Sequence, residues 1–159
     1  LWNALSLHGM TTQIPLHVQI ISSISGKKID FEGTKIFFVK SKHIWGYKKE
    51  TYHGFQIFIS DPEKTIIDCL YFNLAPLSVI IQAVKTEKDK ISLDKIKKIC
   101  LRLKNNQFLK KAGVIFDSLG YDLFKSFRKH LDYNPLFIDK NLCRLFDSSK
   151  FKKWRIKCQ

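Results

Sequence analysis

Hydrophobic and polar positions along this chain change rhythm once, near residue 60. Before that point the period is two. Leu16, Val18 and Ile20 alternate with His17, Gln19 and Ile21, which predicts a strand. Ile29–Phe31 and Lys35–Val39 flank Gly33 and predict a hairpin. His43–Lys49 and Phe55–Ile59 read as two more strands, turned around His53-Gly54. The first 60 residues therefore predict a small, mostly antiparallel sheet. Its aromatic residues (Phe37, Phe38, Trp45, Tyr47, Phe55 and Phe58) suit a sheet packed on helices.

After Asp61 the period lengthens to about 3.6 residues. Helices are predicted over Asp61–Phe72 and from Pro76 to Lys85, followed by the charged loop Thr86–Lys90. Ser92 is placed to cap a third, whose apolar stripe is Leu93, Ile96, Ile99, Cys100 and Leu103. A fourth spans Gln107–Leu119 with Gly120 just past its end, and Asp122 caps a fifth running to Leu131. In the tail, Trp154, Ile156 and Cys158 alternate with Arg155 and Lys157, a last strand that could return to the sheet. The expected fold is α+β: a small, mostly antiparallel sheet, a bundle of about five helices, then a C-terminal strand. One domain over 1–159 is expected, sheet-rich over 1–60, helical over 61–131, with the strand region in 132–159. Leu1–Met10 reads as a short helix ended by Gly9, marginal alone. With a first residue that is not Met, this gives the expectation that an upstream domain has been removed.

The junction of the two rhythms is Ile59-Ser60-Asp61-Pro62-Glu63-Lys64-Thr65-Ile66-Ile67-Asp68-Cys69-Leu70. Pro62 suits the first helical position, where a missing N–H costs nothing. Asp61 can cap this helix, or Ser60 can cap it with Glu63 closing a capping box. Either way the carboxylates lie at the positive end of the helix dipole. Ile66, Ile67 and Leu70 are the expected buried side.

The composition adds a strong charge. Net charge is +14, and it is uneven. Residues 1–80 carry 8 Lys and Arg against 6 Asp and Glu, while residues 81–159 carry 20 against 8. A basic helical half points to a polyanionic partner, although lysine-rich helices also simply solvate their outer faces. No apolar run is long enough for a transmembrane helix, and no membrane partner is expected. The four cysteines (Cys69, Cys100, Cys143, Cys158) lack the close pairing of zinc ligands and sit at apolar positions. Reduced core thiols and a cytoplasmic location are expected.

Enzyme signatures are weak. G-x-S-x-G, P-loop and dinucleotide fingerprints are absent. Asp30-Phe31-Glu32 imitates a metal-binding acidic pair but lacks an upstream Gly-Ser. Glu63 and Lys64 are adjacent, which breaks the spacing of a restriction-nuclease-like site. A metal-dependent nuclease or nucleotidyltransferase would have to use Asp30, Glu32, Asp61 and Glu63. The expectation is no enzyme, no catalytic residue, no metal and no cofactor. Basic groups are the better candidates. Lys27, Lys28, Lys40, Lys42, Lys48 and Lys49 flank strands, with Trp45 and Tyr47 between them. Lys95, Lys98, Arg102, Lys110, Lys111, Lys153 and Arg155 follow in the helical half, joined by Arg128, Lys129 and Lys152. Lysine far outnumbers arginine, which favours contacts to the phosphate backbone over base readout.

Several segments, in order, resemble one family. Ser60–Asp68 is similar to its S-D-P-E-[KR]-T-[LI]-[LI]-D signature, and Trp2–Thr11 to its S-A-L-x-x-H-G-L-T. Gln13-Ile14-Pro15 matches its Q-I-P, and Thr34–Lys40 resembles its R-F-R-F-V strand. Asn106, Lys110, Lys111, Ala112 and Gly113 look like its N-x-x-x-x-[RK]-[RK]-L-G helix, and Lys153–Ile156 like its R-W-R-[LV] ending. The family is the AbiEi-type antitoxins and transcriptional regulators of prokaryotic type IV toxin–antitoxin operons. The resemblance covers most of the chain and implies a non-enzymatic regulator and antitoxin, paired with a nucleotidyltransferase-type toxin. Family members usually carry an upstream winged helix, which this sequence lacks. Operator-specific DNA binding is therefore expected of the full-length protein, and no catalytic residue carries over. The alternative is a general nucleic-acid-binding module without a toxin.

Overall fold

Alternation in the first sixty residues does produce strands, but they build two sheets. The computed structural model describes the whole chain, Leu1–Gln159. Strands β1 (His17–Ser22), β2 (Ile29–Phe31) and β3 (Thr34–Lys40) lie in the order β1-β3-β2. β4 (Tyr47–Tyr52) and β5 (Phe55–Ser60) form a separate hairpin. β2 and β3 are antiparallel across the Gly33 turn, where Asp30 Oδ1 accepts the Gly33 N–H at 3.2 Å. β1 and β3 run parallel, Ile20 opposite Phe38, because β2 occupies the path between them. The expected single sheet is thus corrected in count, while two of the three strand pairs are antiparallel as expected.

The predicted strand over His43–Lys49 starts late, at Tyr47. His43–Gly46 instead bends over the start of helix α2 (Pro62–Tyr71). The Asp61 N–H donates to the Gly46 carbonyl at 3.0 Å. Gly46 has φ +71°, and a Cβ there would lie 3.3 Å from Lys64 Cγ. Only glycine meets both conditions without strain.

The chain divides into two compact units, Leu1–Ile91 and Ser92–Gln159. The boundary falls thirty residues beyond the change of rhythm because α2 packs with α1 (Trp2–Leu7) and α3 (Leu77–Thr86). Leu5, Ile66, Ile67, Cys69, Leu70, Ile80, Ala83 and Val84 form the core of this first unit. Each large aliphatic side chain among them contributes about 1.5–3 kcal/mol by leaving water. Gln19 ties the pieces: its Oε1 accepts from Trp2 N at 3.2 Å, and its Nε2 donates to the Leu74 carbonyl at 3.1 Å.

In the second unit α4 (Leu93–Arg102) begins as read, with Ser92 Oγ accepting the Lys95 N–H. α5 (Asn106–Ser118) is capped by Asn105, whose Oδ1 accepts the Phe108 N–H at 2.9 Å. The expected fifth helix is a single turn, α6 (Phe124–Phe127), followed by a 3-10 turn over Arg128–His130. The tail differs more. β6 (Leu136–Ile138), α7 (Lys140–Cys143), α8 (Phe151–Trp154) and β7 (Ile156–Cys158) complete the unit, and β7 pairs in parallel with β6. The expected strand over 151–158 therefore splits. Trp154 is wholly buried on Gly113, where a Cβ would come within 2.2 Å of its ring. Turning that ring inward takes a helical turn followed by Arg155 at φ +55°. Both units mix helices and small sheets, so the fold class is α+β, as the rhythms imply.

The cysteine expectation needs correcting in part. Cys143 and Cys158 are joined by a disulfide, while Cys69 and Cys100 are free and buried. Burial pushes the Cys69 thiol up to about 12, and it raises Cys100 as well. Parallel pairing of β6 with β7 brings together two cysteines 15 residues apart. Cysteine usage therefore no longer argues for a reducing compartment.

Candidate nucleic-acid interface

Charge follows the division into units. Residues 1–91 carry 11 Lys and Arg against 8 Asp and Glu; residues 92–159 carry 17 against 6, a net +11. All six acids of the second unit have internal work. Asp132 pairs with Lys110, and Asp117 takes the Trp154 indole N–H at 2.8 Å and Lys153 at 2.9 Å. Asp122 accepts from Phe124 N and Lys153, and Asp94 pairs with Lys97 at 3.1 Å. Asp139 and Asp147 cap the turns that begin at Lys140 and Ser148. Cations outnumber these acids by eleven in this unit.

The predicted basic residues separate into distinct fates. Lys95, Lys98 and Arg102 are exposed and, at helical spacing, share one face of α4. Lys110 is not a surface group: it is fully buried, and its ammonium donates to Asp132 and to the Asn134 carbonyl. It belongs to the core, because α5 turns it inward beside Ala112 and Gly113. Lys111 is half-buried, and burial lowers its pKa. Lys153 is held by two carboxylates and lies 4.9 Å from the Phe124 ring centroid. Arg155 donates to the Asp132 carbonyl and stacks 4.5 Å over Tyr133. The last two brace the fold.

One cavity of about 330 Å³ adjoins the basic face of α4, lined by Leu101, Lys104, Asn105, Asn106, Leu109 and His130. α4 packs on α6, whose 3-10 extension supplies Arg128, Lys129 and His130, all exposed. Lys104 and His130 were not among the predicted residues. Their signal was faint, since neither lies in a periodic stripe.

In the first unit Lys27, Lys28, Lys40, Lys42, Lys48 and Lys49 are all exposed. Lys28 lies 5.1 Å from the Phe37 ring centroid, and Lys48 pairs with Glu50 at 2.6 Å. Strand register sets Lys49 on one hairpin face with Tyr47 and Phe58, whose rings meet edge to face at 5.9 Å. The fold thus divides these lysines between two sheets.

The junction is more buried than its sequence suggests. Asp61 is the N-cap residue and Pro62 is N1, but no side chain caps the helix, and Ser60 Oγ instead meets Thr65 Oγ1 at 2.6 Å. The capping box does not form. Every residue from Glu63 to Leu70 is buried, not only Ile66, Ile67 and Leu70. Lys64 reaches both oxygens of Asp68 at 2.5 Å and lies 4.5 Å from the Trp45 ring centroid. Burial pushes the Asp68 carboxyl up, against the pull of Lys64. His8 Nε2 donates to the Ser60 carbonyl at 2.8 Å. The i, i+4 spacing of Lys64 and Asp68 was visible in the sequence; their removal from water was not. No group of three or more His, Cys, Asp or Glu is arranged to hold a metal ion. No helix is long and apolar enough to cross a membrane.

Neither a scan of protein-family models nor a search of curated proteins finds a match for this chain.

Proposed function

We propose that this chain is a non-enzymatic nucleic-acid-binding protein that works through the basic surface of its second unit. The observation that carries the reading is the net +11 over 92–159, with all six carboxylates of that unit engaged internally. Such an excess attracts a polyanion such as a nucleic-acid backbone. Thirteen of the seventeen cations are lysines, so contact to phosphates outweighs base readout.

The ordered motifs extend the proposal to a regulator and antitoxin of the AbiEi type, acting in the cytoplasm beside a nucleotidyltransferase-type toxin. That extension rests on resemblance alone. The binding reading is tested by fluorescence anisotropy with a labelled duplex in increasing salt. A log–log slope of about −0.9 per phosphate neutralised is expected, and an affinity indifferent to salt would sink it. The antitoxin reading is tested by expressing the full-length gene with a neighbouring toxin; failure to restore growth would remove it.

A further inference from the structure

The cavity beside α4 has an unusual donor inventory. Four of its six lining residues are polar, and none is acidic. Asn105 Oδ1 accepts the Phe108 N–H and Asn106 Oδ1 accepts the Asp132 N–H, each at 2.9 Å. A backbone N–H bonds only to the oxygen of a carboxamide, so both amides are fixed in orientation. What each keeps is its Nδ2 group, a donor. Lys104 adds an ammonium, and the imidazole of His130 always carries at least one N–H. Leu101 and Leu109 supply apolar wall.

Lys104 itself stands in the left-handed region, at φ +50°, directly after the last residue of α4's final turn. Glycine is the residue that position favours, and a side chain there costs about 1–2 kcal/mol. Lysine at this point is unfavourable for folding and places a cation at the cavity.

We propose that this cavity is a phosphate-binding pocket that seats one backbone phosphate of the bound nucleic acid. The proposal rests on the nucleic-acid reading above and locates it. A phosphate offers only acceptors, and the cavity is lined by four donor-bearing side chains and no carboxylate. Its apolar wall takes the adjoining sugar. The face formed by Lys95, Lys98 and Arg102 leads along α4 to Lys104, and Arg128 and Lys129 precede His130, so the strand continues over cations on both sides.

Lys104→Gly separates binding from folding. The substitution removes the ammonium and the backbone strain together, so the melting temperature of the full chain should hold or rise. Duplex affinity should fall about five-fold at 100 mM salt, and the salt slope should shrink by about 0.9, one phosphate's worth. His130→Ala, at an exposed position, should weaken binding in the same direction. Lys85→Ala, an exposed lysine of the first unit, should not. Unchanged affinity and slope in both pocket variants, with wild type still binding in a salt-dependent way, would overturn the pocket and leave the general basic-surface reading standing. If wild type fails to bind duplex, single-stranded DNA and RNA alike, both readings fall. Titration with inorganic phosphate and with adenosine monophosphate distinguishes sources. Weak, Lys104-dependent competition with the duplex supports the pocket, whereas Lys104-dependent binding of the mononucleotide without any nucleic-acid binding would overturn the backbone assignment.

Discussion

Lys64 in the first unit and Lys110 in the second are both removed from water, yet their charges are answered in opposite ways. Lys64 takes its partner from its own helix, one turn on, and Asp68 is as buried as the lysine. Lys110 reaches 22 residues along the chain to Asp132, whose side chain is 36% exposed. The first arrangement seals a charge pair inside α2. The second uses a carboxylate as a tether between distant segments, and the same holds where Lys153 and Trp154 converge on Asp117. Asp117 and Asp132 thus serve as tethers, while Asp94, Asp122, Asp139 and Asp147 stay exposed among the second unit's more numerous cations. The first unit, with nearly balanced charge, instead exposes aromatic and aliphatic groups such as Phe31, Phe55 and Phe58.

The sharpest way to break this comparison is to delete each carboxylate. Asp68→Ala leaves an ammonium buried without its counter-ion and should cost about 3–5 kcal/mol, read by urea denaturation. Asp132→Ala should cost less, about 1.5–3 kcal/mol, since Lys110 keeps the Asn134 carbonyl and the site borders water. Equal losses would show that burial of the acceptor does not separate the two pairs.

The disulfide offers the next test. Closing a loop of 15 residues is worth about 3 kcal/mol through the unfolded chain. Reduction should lower protection against hydrogen exchange by that amount within 92–159 and leave α2 and α3 as they were. Equal loss in the first unit would mean that the two units unfold together.

The smallest effect is acidification, and the units should respond with opposite sign. In the second unit Asp122 is held below its ordinary value by the Phe124 N–H and then by Lys153, and Asp147 by Ser149. Their stabilisation is present above about pH 4 and is lost as pH falls through their folded values. Asp68 is displaced upward by burial, so the folded first unit binds its proton more readily and gains as pH falls toward 3.8. Protection factors at the Phe124 and Ser149 amides should fall between about pH 5 and about pH 3, ahead of the α2 core. Asp122→Asn should remove the response at Phe124.

Local signals were legible where a few neighbouring residues decide the outcome. Ser92 caps as expected because a cap needs only the next turn's N–H groups, whereas Asp122 falls one residue before the N-cap position, Leu123, and accepts the Phe124 N–H. The Gly33 hairpin and Gly120, at φ +91°, follow from one residue's backbone freedom. Alternation in 151–158 misled because burying Trp154 against Gly113 outweighs a short strand's pattern. Of the candidate site, the Lys95, Lys98 and Arg102 face was readable from helical spacing. The cavity was not, since it joins Lys104 and Asn105 to His130 across α5.

The sequence by itself determined the α+β class, the order of most elements and the concentration of charge, because these depend on periodicity and composition. Only the tertiary structure decided which charges face water. Lys64, Lys110 and Asp68 carry the same groups as any surface Lys or Asp, and burial depends on what distant segments pack against them. It likewise decided that β1 runs parallel to β3, that Cys143 meets Cys158, and that Asn106 accepts the Asp132 N–H beside Lys104 and His130. Each of these is a contact between residues far apart in the chain, where no local pattern reaches.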